Sequence, residues 1–266
     1  MRDLLLPVGL VLALILPPAA AQADVVLPPA IAGNPRLKDL RRAMLAGTEL
    51  SDLQLQSLAD AGDGLAAARY AKRLEERKDP AFLGDAAHYY SIAVYMDRDF
   101  ALPRLIALLG RPDVAFGPAR LQNLRDVLDR AARRGDPVAA AGLGDLLLRE
   151  APFPQDIPRA HALLLQAAEV GDAQAAIRLA MNQIKGMPGL PPDPASARRA
   201  LELALDSPDP GVQSMARTLL GQLDAPTAGT GVIPISNAGT ATAQPQADAV
   251  SPRPRARPAS LEGAAP

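Results

Sequence analysis

Apolar residues along the middle of the chain recur at helical spacing and are interrupted at regular intervals by a Gly-Asp pair or a lone Asp. "AAEVGDAQAAIRLA", Ala167 to Ala180, shows the interruption at Gly171-Asp172, and "AARRGDPVAAAGLG", Ala131 to Gly144, repeats it at Gly135-Asp136. Asp63, Asp99, Asp136, Asp172 and Asp209 stand 36, 37, 36 and 37 residues apart. Seven residues after each of the first four Asp come Tyr70, Ile106, Leu143 and Leu179, and one further on Ala71, Ala107, Gly144 and Ala180. A large and a small residue thus recur on one helical face. Twelve residues before the next Asp stand Ala87, Leu124, Ala160 and Ala197, and five before it Val94, Ala131, Ala167 and Ala204, which predicts a second helix with its own small-residue face. Helices this short are marginal alone, so they must be stabilised by stacking on neighbours. Glycine caps the end of one helix and Asp accepts hydrogen bonds at the start of the next, which explains why the pair marks the boundary.

The pattern divides the chain. Residues 36–61 show two helical runs, with Leu37, Leu40, Met44 and Leu45 in one and Leu53, Leu55 and Leu58 in the other, predicting a capping hairpin. Residues 62–223 form the repeat array. Residues 24–35, with three prolines and no period, read as a linker. Residues 224–266, rich in Pro, Ala, Gly, Ser and Thr, read as a disordered tail. In that tail "GVIPIS", Gly231 to Ser236, is an apolar spot, and Arg253, Arg255 and Arg257 alternate with proline. At the other end, Arg2 precedes an apolar run from Leu4 to Leu16 and then Ala21-Gln22-Ala23, the pattern of a signal peptide, residues 1–23, cleaved before Asp24. The expected location is periplasmic or secreted, with no membrane anchor after cleavage.

Composition narrows the chemistry. Hydrophobic residues make up 48% of the 266, enough for a core, but aromatics only 3%, so that core must be leucine and alanine. A formal net charge of −1 carries no electrostatic footprint for nucleic acid. With no cysteine, thiol chemistry, cysteine metal sites and disulfides are excluded. His88 and His161 each stand eleven residues before a repeated Asp, two units apart, far too distant to share a metal. Ser91, Ser196, Ser207, Ser214 and Thr218 have no base at matching positions, and Asp63, Asp136 and Asp172 are engaged as helix caps. No catalytic residue, metal or cofactor is expected.

Several residues carry a family resemblance. Gly171-Asp172, Ala176, Leu179, Ala180, the loop "KGMPGLPPD" with Gly186, Gly189 and Asp193, then Ala197 and Ala204, resemble a Sel-one-like repeat (SLR), a relative of the tetratricopeptide repeat. The third unit repeats them as Ala140, Leu143, Gly144, Asp156, Ala160, Ala167, Ala168 and Gly171. Glu150 stands where the family has glycine, the usual aromatics are mostly Leu or Ala, and Pro103 falls in the first turn of the second unit's first helix. The resemblance implies an all-α fold, a right-handed alpha-solenoid of stacked helix pairs. It further implies a non-enzymatic scaffold or adaptor that binds protein partners, with regulation of a cell-envelope or signalling complex as a role open to an exported bacterial protein. A cell-envelope hydrolase and a cell-wall-associated protein acting through its tail are the alternatives.

The expected binding surface lies six and ten residues after each Asp, on the concave side of the first helices. In the outer units these are Arg69, Arg73, Arg178 and Asn182, and in the middle ones Leu105, Leu109, Gly142 and Leu146. Two placements fit the leucines: a groove rimmed by arginine that takes a partner's helix or extended segment, or the core.

Overall fold

The structure is a computed structural model that describes residues 27–224. The segment read as a signal peptide and the segment read as a tail, with "GVIPIS" and its arginines, lie outside the described residues, apart from Asp224, which ends the last helix. Twelve α-helices follow one another, and among the described residues the only β pairing is an isolated bridge between Met187 and Leu190. A short α1 (Pro29–Ala32) leads into the hairpin of α2 (Pro35–Leu45) and α3 (Asp52–Asp60). Four two-helix units come next: α4 (Gly64–Glu76) and α5 (Pro80–Tyr95), α6 (Leu102–Leu109) and α7 (Pro118–Arg133), α8 (Pro137–Leu147) and α9 (Ile157–Glu169), and α10 (Ala173–Lys185) and α11 (Pro194–Leu205); the two helices pack on each other in all but the second, where α6 and α7 pack on α5 and α8 instead. A last helix, α12 (Pro210–Asp224), packs on α11 and α10. Each first helix also packs on the second helix of the unit before it, which makes the array an all-α solenoid.

The segment expected as a linker differs in its described part. Pro29 and Pro35 stand at the first positions of α1 and α2, where the missing N–H of proline costs nothing, and Ile31 is fully buried. Prolines that suggested a linker are helix starters here.

Boundaries between units are built by the Gly-Asp pairs. Gly62, Gly135 and Gly171 have φ of +91°, +90° and +101°, the left-handed conformation that reverses the chain. The following Asp donates its own N–H back to the carbonyl five residues earlier, as Asp63 to Leu58, Asp136 to Ala131 and Asp172 to Ala167. Its carboxylate accepts from the new helix: Asp63 Oδ1 from the amides of Leu65 and Ala66 at 3.0 and 2.9 Å, Asp136 from Ala139 at 2.8 Å, Asp172 from Ala175 at 2.9 Å. Asp63 is also tied to the hairpin by an ion pair from Arg41, Nε to Oδ2 at 2.7 Å.

At the second unit the same geometry falls one residue earlier than the spacing predicts. Arg98, not Asp99, donates its N–H five residues back, to Ala93, and Asp97 holds the left-handed turn at φ +57°. No side chain caps the short 3₁₀ turn Asp99–Ala101 that follows. The second unit is therefore counted from Arg98. An arginine cannot accept the amide bonds that an Asp would, and an Asp in the left-handed region costs more than a glycine. Asp97→Gly with Arg98→Asp is expected to restore the unit boundary and raise stability by about 1–2 kcal/mol, read as a higher midpoint in a thermal melt. An unchanged or lower midpoint would contradict the shifted register.

The core runs between helices as alternating leucine and alanine. Leu143 and Leu147 of α8 and Leu163 and Leu164 of α9 are fully buried, as are Ala139, Ala140, Ala160 and Ala167. Each buried leucine is worth about 1.5–3 kcal/mol of transfer free energy, and the alanines allow the backbones to approach. Gly144 marks the tightest approach within that pair: a Cβ there would sit 3.1 Å from the Ala160 carbonyl oxygen and 3.1 Å from Leu164 Cγ. Tyrosines are confined to the first unit. Tyr70 and Tyr89 meet edge to face with centroids 4.7 Å apart, and the Tyr89 hydroxyl donates to Asp60 at 3.0 Å, while burial pushes its pKa up to about 12.

Candidate functional site

Counting from the corrected starts reassigns the expected surface. Six residues on from Asp63, Arg98, Asp136 and Asp172 stand Arg69, Arg104, Gly142 and Arg178, and ten residues on Arg73, Leu108, Leu146 and Asn182. The side chains at the sixth position reach the unit before. Arg69 Nη1 donates to the Met44 carbonyl at 3.1 Å, Arg104 Nη1 reaches Glu75 at 3.3 Å, and Arg178 Nε lies 3.2 Å from Asp145 Oδ1 in an ion pair too poorly aligned for a hydrogen bond. Arg73 grips the hairpin, donating to the Leu50 carbonyl at 2.7 Å and to Asp52 at 2.9 Å. Its hydrogen bond, joined by that of Arg77, holds the Asp52 carboxyl below the usual carboxylate range.

In the third unit Gly142 replaces the arginine, and the first helices close up. A Cβ on Gly142 would meet Ile106 Cδ1 at 2.3 Å, so α8 packs directly against α6, whereas the other consecutive first helices stay further apart. Arginine acts as a spacer between units and glycine as a close contact.

The proposed groove is thereby corrected. Leu105, Leu109 and Leu146 are 0%, 1% and 2% exposed, and Gly142 is buried. In the shifted register Leu105 and Leu109 occupy the seventh and eleventh positions, those of the core residues Tyr70 and Leu74, and Leu146 is buried where α8 closes on its neighbours. Asn182 is half-buried, and its carbonyl accepts from Gly186 at 2.9 Å, so its backbone closes a helix end. The eight residues do not form one surface. Four are core, and Arg69, Arg73 and Arg178 mostly bind neighbouring units. The displaced register was signalled in the sequence only by Asp97-Arg98, which resembles no Gly-Asp pair.

His88 and His161 are both half-buried, and burial lowers both pKa values, with Arg120 adding to the effect at His88. His161 Nε2 is buried without a hydrogen-bond partner. A histidine kept neutral in the folded state protonates first in the unfolded chain, at about pH 6.5, so the unfolded state binds more protons below that pH and stability falls with it. The melting midpoint is expected to drop as pH is lowered from 7.5 to 5.5, and His161→Gln should reduce that slope; an equal slope in the variant would assign the loss elsewhere.

Asp145 carries the other perturbed charge near this face. Burial raises its pKa despite the attraction of Arg178 and Arg149. Among the described residues no group of three His, Asp or Glu is placed to hold a metal ion, and no helix is long and apolar enough to cross a membrane.

These features define a class: a helical-repeat solenoid in which successive units are joined by caps and by a side chain reaching backward. No family model matches the chain, and no curated protein does. Among solved structures it is similar to a Sel1 repeat protein from Oxalobacter formigenes, at 28% identity and a TM-score of 0.40, with 73% of this chain and 57% of that one covered. It is also similar to a protective antigen present in uropathogenic Escherichia coli strains and displaying an SLR fold, at 16% identity and a TM-score of 0.41, covering 73% of this chain and 47% of that one. The chain spans about half the length of each. The solenoid assignment stands on the stacking of successive helices.

Proposed function

We propose that the chain is an exported, non-enzymatic scaffold of Sel1-like type that binds a protein partner in the periplasm or outside the cell, in the service of an envelope or signalling complex. The succession of stacked two-helix units, each resting on the one before it, carries this reading. Such an array buries its apolar faces between units and presents the rest of its length as extended surface, the geometry of a binding module. Export rests on Arg2, the apolar run and Ala21-Gln22-Ala23. Nucleic acid is disfavoured as a partner by the net charge of −1.

The test is fractionation of cells expressing the tagged full chain, followed by cross-linking capture from the periplasmic fraction and from the medium. A mature chain starting at Asp24, joined to one reproducible envelope or signalling protein, is the expected result. Retention of Met1 in the cytoplasm would remove export. Turnover of a cell-wall fragment by the purified chain would replace the scaffold by the hydrolase alternative.

A further inference from the structure

The second unit leaves open a space that the others close. Its first helix spans eight residues, and residues 110–117 lead the chain away before α7, so that α6 and α7 make little contact with each other and pack instead on α5 and α8. Between them, walled on the third side by Arg149, Ala151 and Pro152 of the loop that follows α8, is a cleft of about 480 Å³. Its floor is apolar, with Leu109 and Val114 buried and Phe116 and Leu121 half-buried.

Two guanidinium groups stand at the rim, and they are not equivalent. Arg111 is answered by Asp113, with Nε and Nη2 donating to the two carboxylate oxygens at 2.9 and 2.6 Å. Arg149 is exposed; the Asp145 carboxylate attracts it through space, but among the described residues its side chain makes no hydrogen bond and no direct ion pair. It lies over Gly110, where an added Cβ would be 3.4 Å from its Nη1. The cleft beside Gly47 and Leu50 is also rimmed by arginines, but Arg69 and Arg73 there are already engaged with Met44, Leu50, Asp52 and Glu49.

We propose that the cleft between α6, α7 and the loop that follows α8 binds an extended peptide segment in which a large apolar side chain stands next to an Asp or Glu. The apolar side chain covers Val114 and Phe116, and the carboxylate takes the uncommitted hydrogen-bond donors of Arg149. An apolar floor alone would accept any hydrophobic segment; the cation beside it, with no direct hydrogen-bond partner, selects the acidic neighbour. This rests on the scaffold reading and names one surface on which it would operate.

The test uses the full chain, labelled with ¹⁵N, and two probes, Ac-Ala-Leu-Glu-Ala-NH₂ and the same peptide with Gln in place of Glu. Saturable amide shifts at Val114, Phe116 and Leu121 are expected with the Glu peptide. Affinity should fall roughly fivefold for the Gln peptide or for Arg149→Gln, with no further fall when the two changes are combined. Arg149 is exposed, so its substitution should leave the melt unchanged. The proposal is overturned by the absence of saturable shifts at those amides, or by an Arg149→Gln chain that binds the Glu peptide as tightly as before. A silent cleft in a chain that still captures its envelope partner would remove this site and leave the scaffold standing.

Discussion

Leu109→Lys combined with Leu146→Lys abolishes the cooperative melt of the protein. Both leucines are at most 2% exposed, and a lysine at either position loses the apolar contacts and buries an ammonium with no carboxylate built to receive it. An unpartnered buried charge costs about 3–5 kcal/mol, and two of them approach or exceed the whole stability of an ordinary domain. Loss of the helical circular dichroism signal at 25 °C is the expected reading, with each single variant melting well below the parent. A double variant that keeps its helicity and midpoint would place these side chains on a surface after all.

The second large effect is at Gly142. Gly142→Val puts a branched side chain where Cδ1, Cγ1 and Cγ2 of Ile106 already lie within 3.0 Å of the Cβ position, and overpacking of this kind costs about 1–3 kcal/mol. Because the obstacle is one side chain and not backbone, Ile106→Ala should recover much of the loss: the double variant is expected to melt above Gly142→Val alone, although Ile106→Ala by itself destabilises. Strict additivity of the two changes in the melt would separate them in space and remove the close approach of α6 and α8.

Legibility followed the range of the interactions. Gly171-Asp172 and Gly135-Asp136 announce their boundaries because the turn and the cap are made by adjacent residues and their own amides. At Asp97-Arg98 the backbone adopts the same turn with neither expected residue, and the nearest Asp lies one position too far along. A slip of one residue rotates a helix by about 100°, which set Leu105 and Leu109 at positions of the concave face and left groove and core both open for them. The cleft was illegible for a different reason. Leu109, Val114, Phe116 and Arg149 come from three segments, and only the poor contact between α6 and α7 leaves room between them. Nor did the regular spacing show that arginine and glycine at one position set the distance between first helices.

That poor contact bears on how the chain acquires its structure. In a linear array, order spreads from any unit whose two helices hold each other, as α4 with α5, α8 with α9 and α10 with α11 do. The second unit lacks this self-sufficiency. Its first helix has no side-chain cap and leans on α5 and α8, so it has nothing to rest on until both neighbours are in place. It is therefore expected to be the last stretch to become ordered, protected latest in pulsed hydrogen exchange, with the units on either side of it able to order without it.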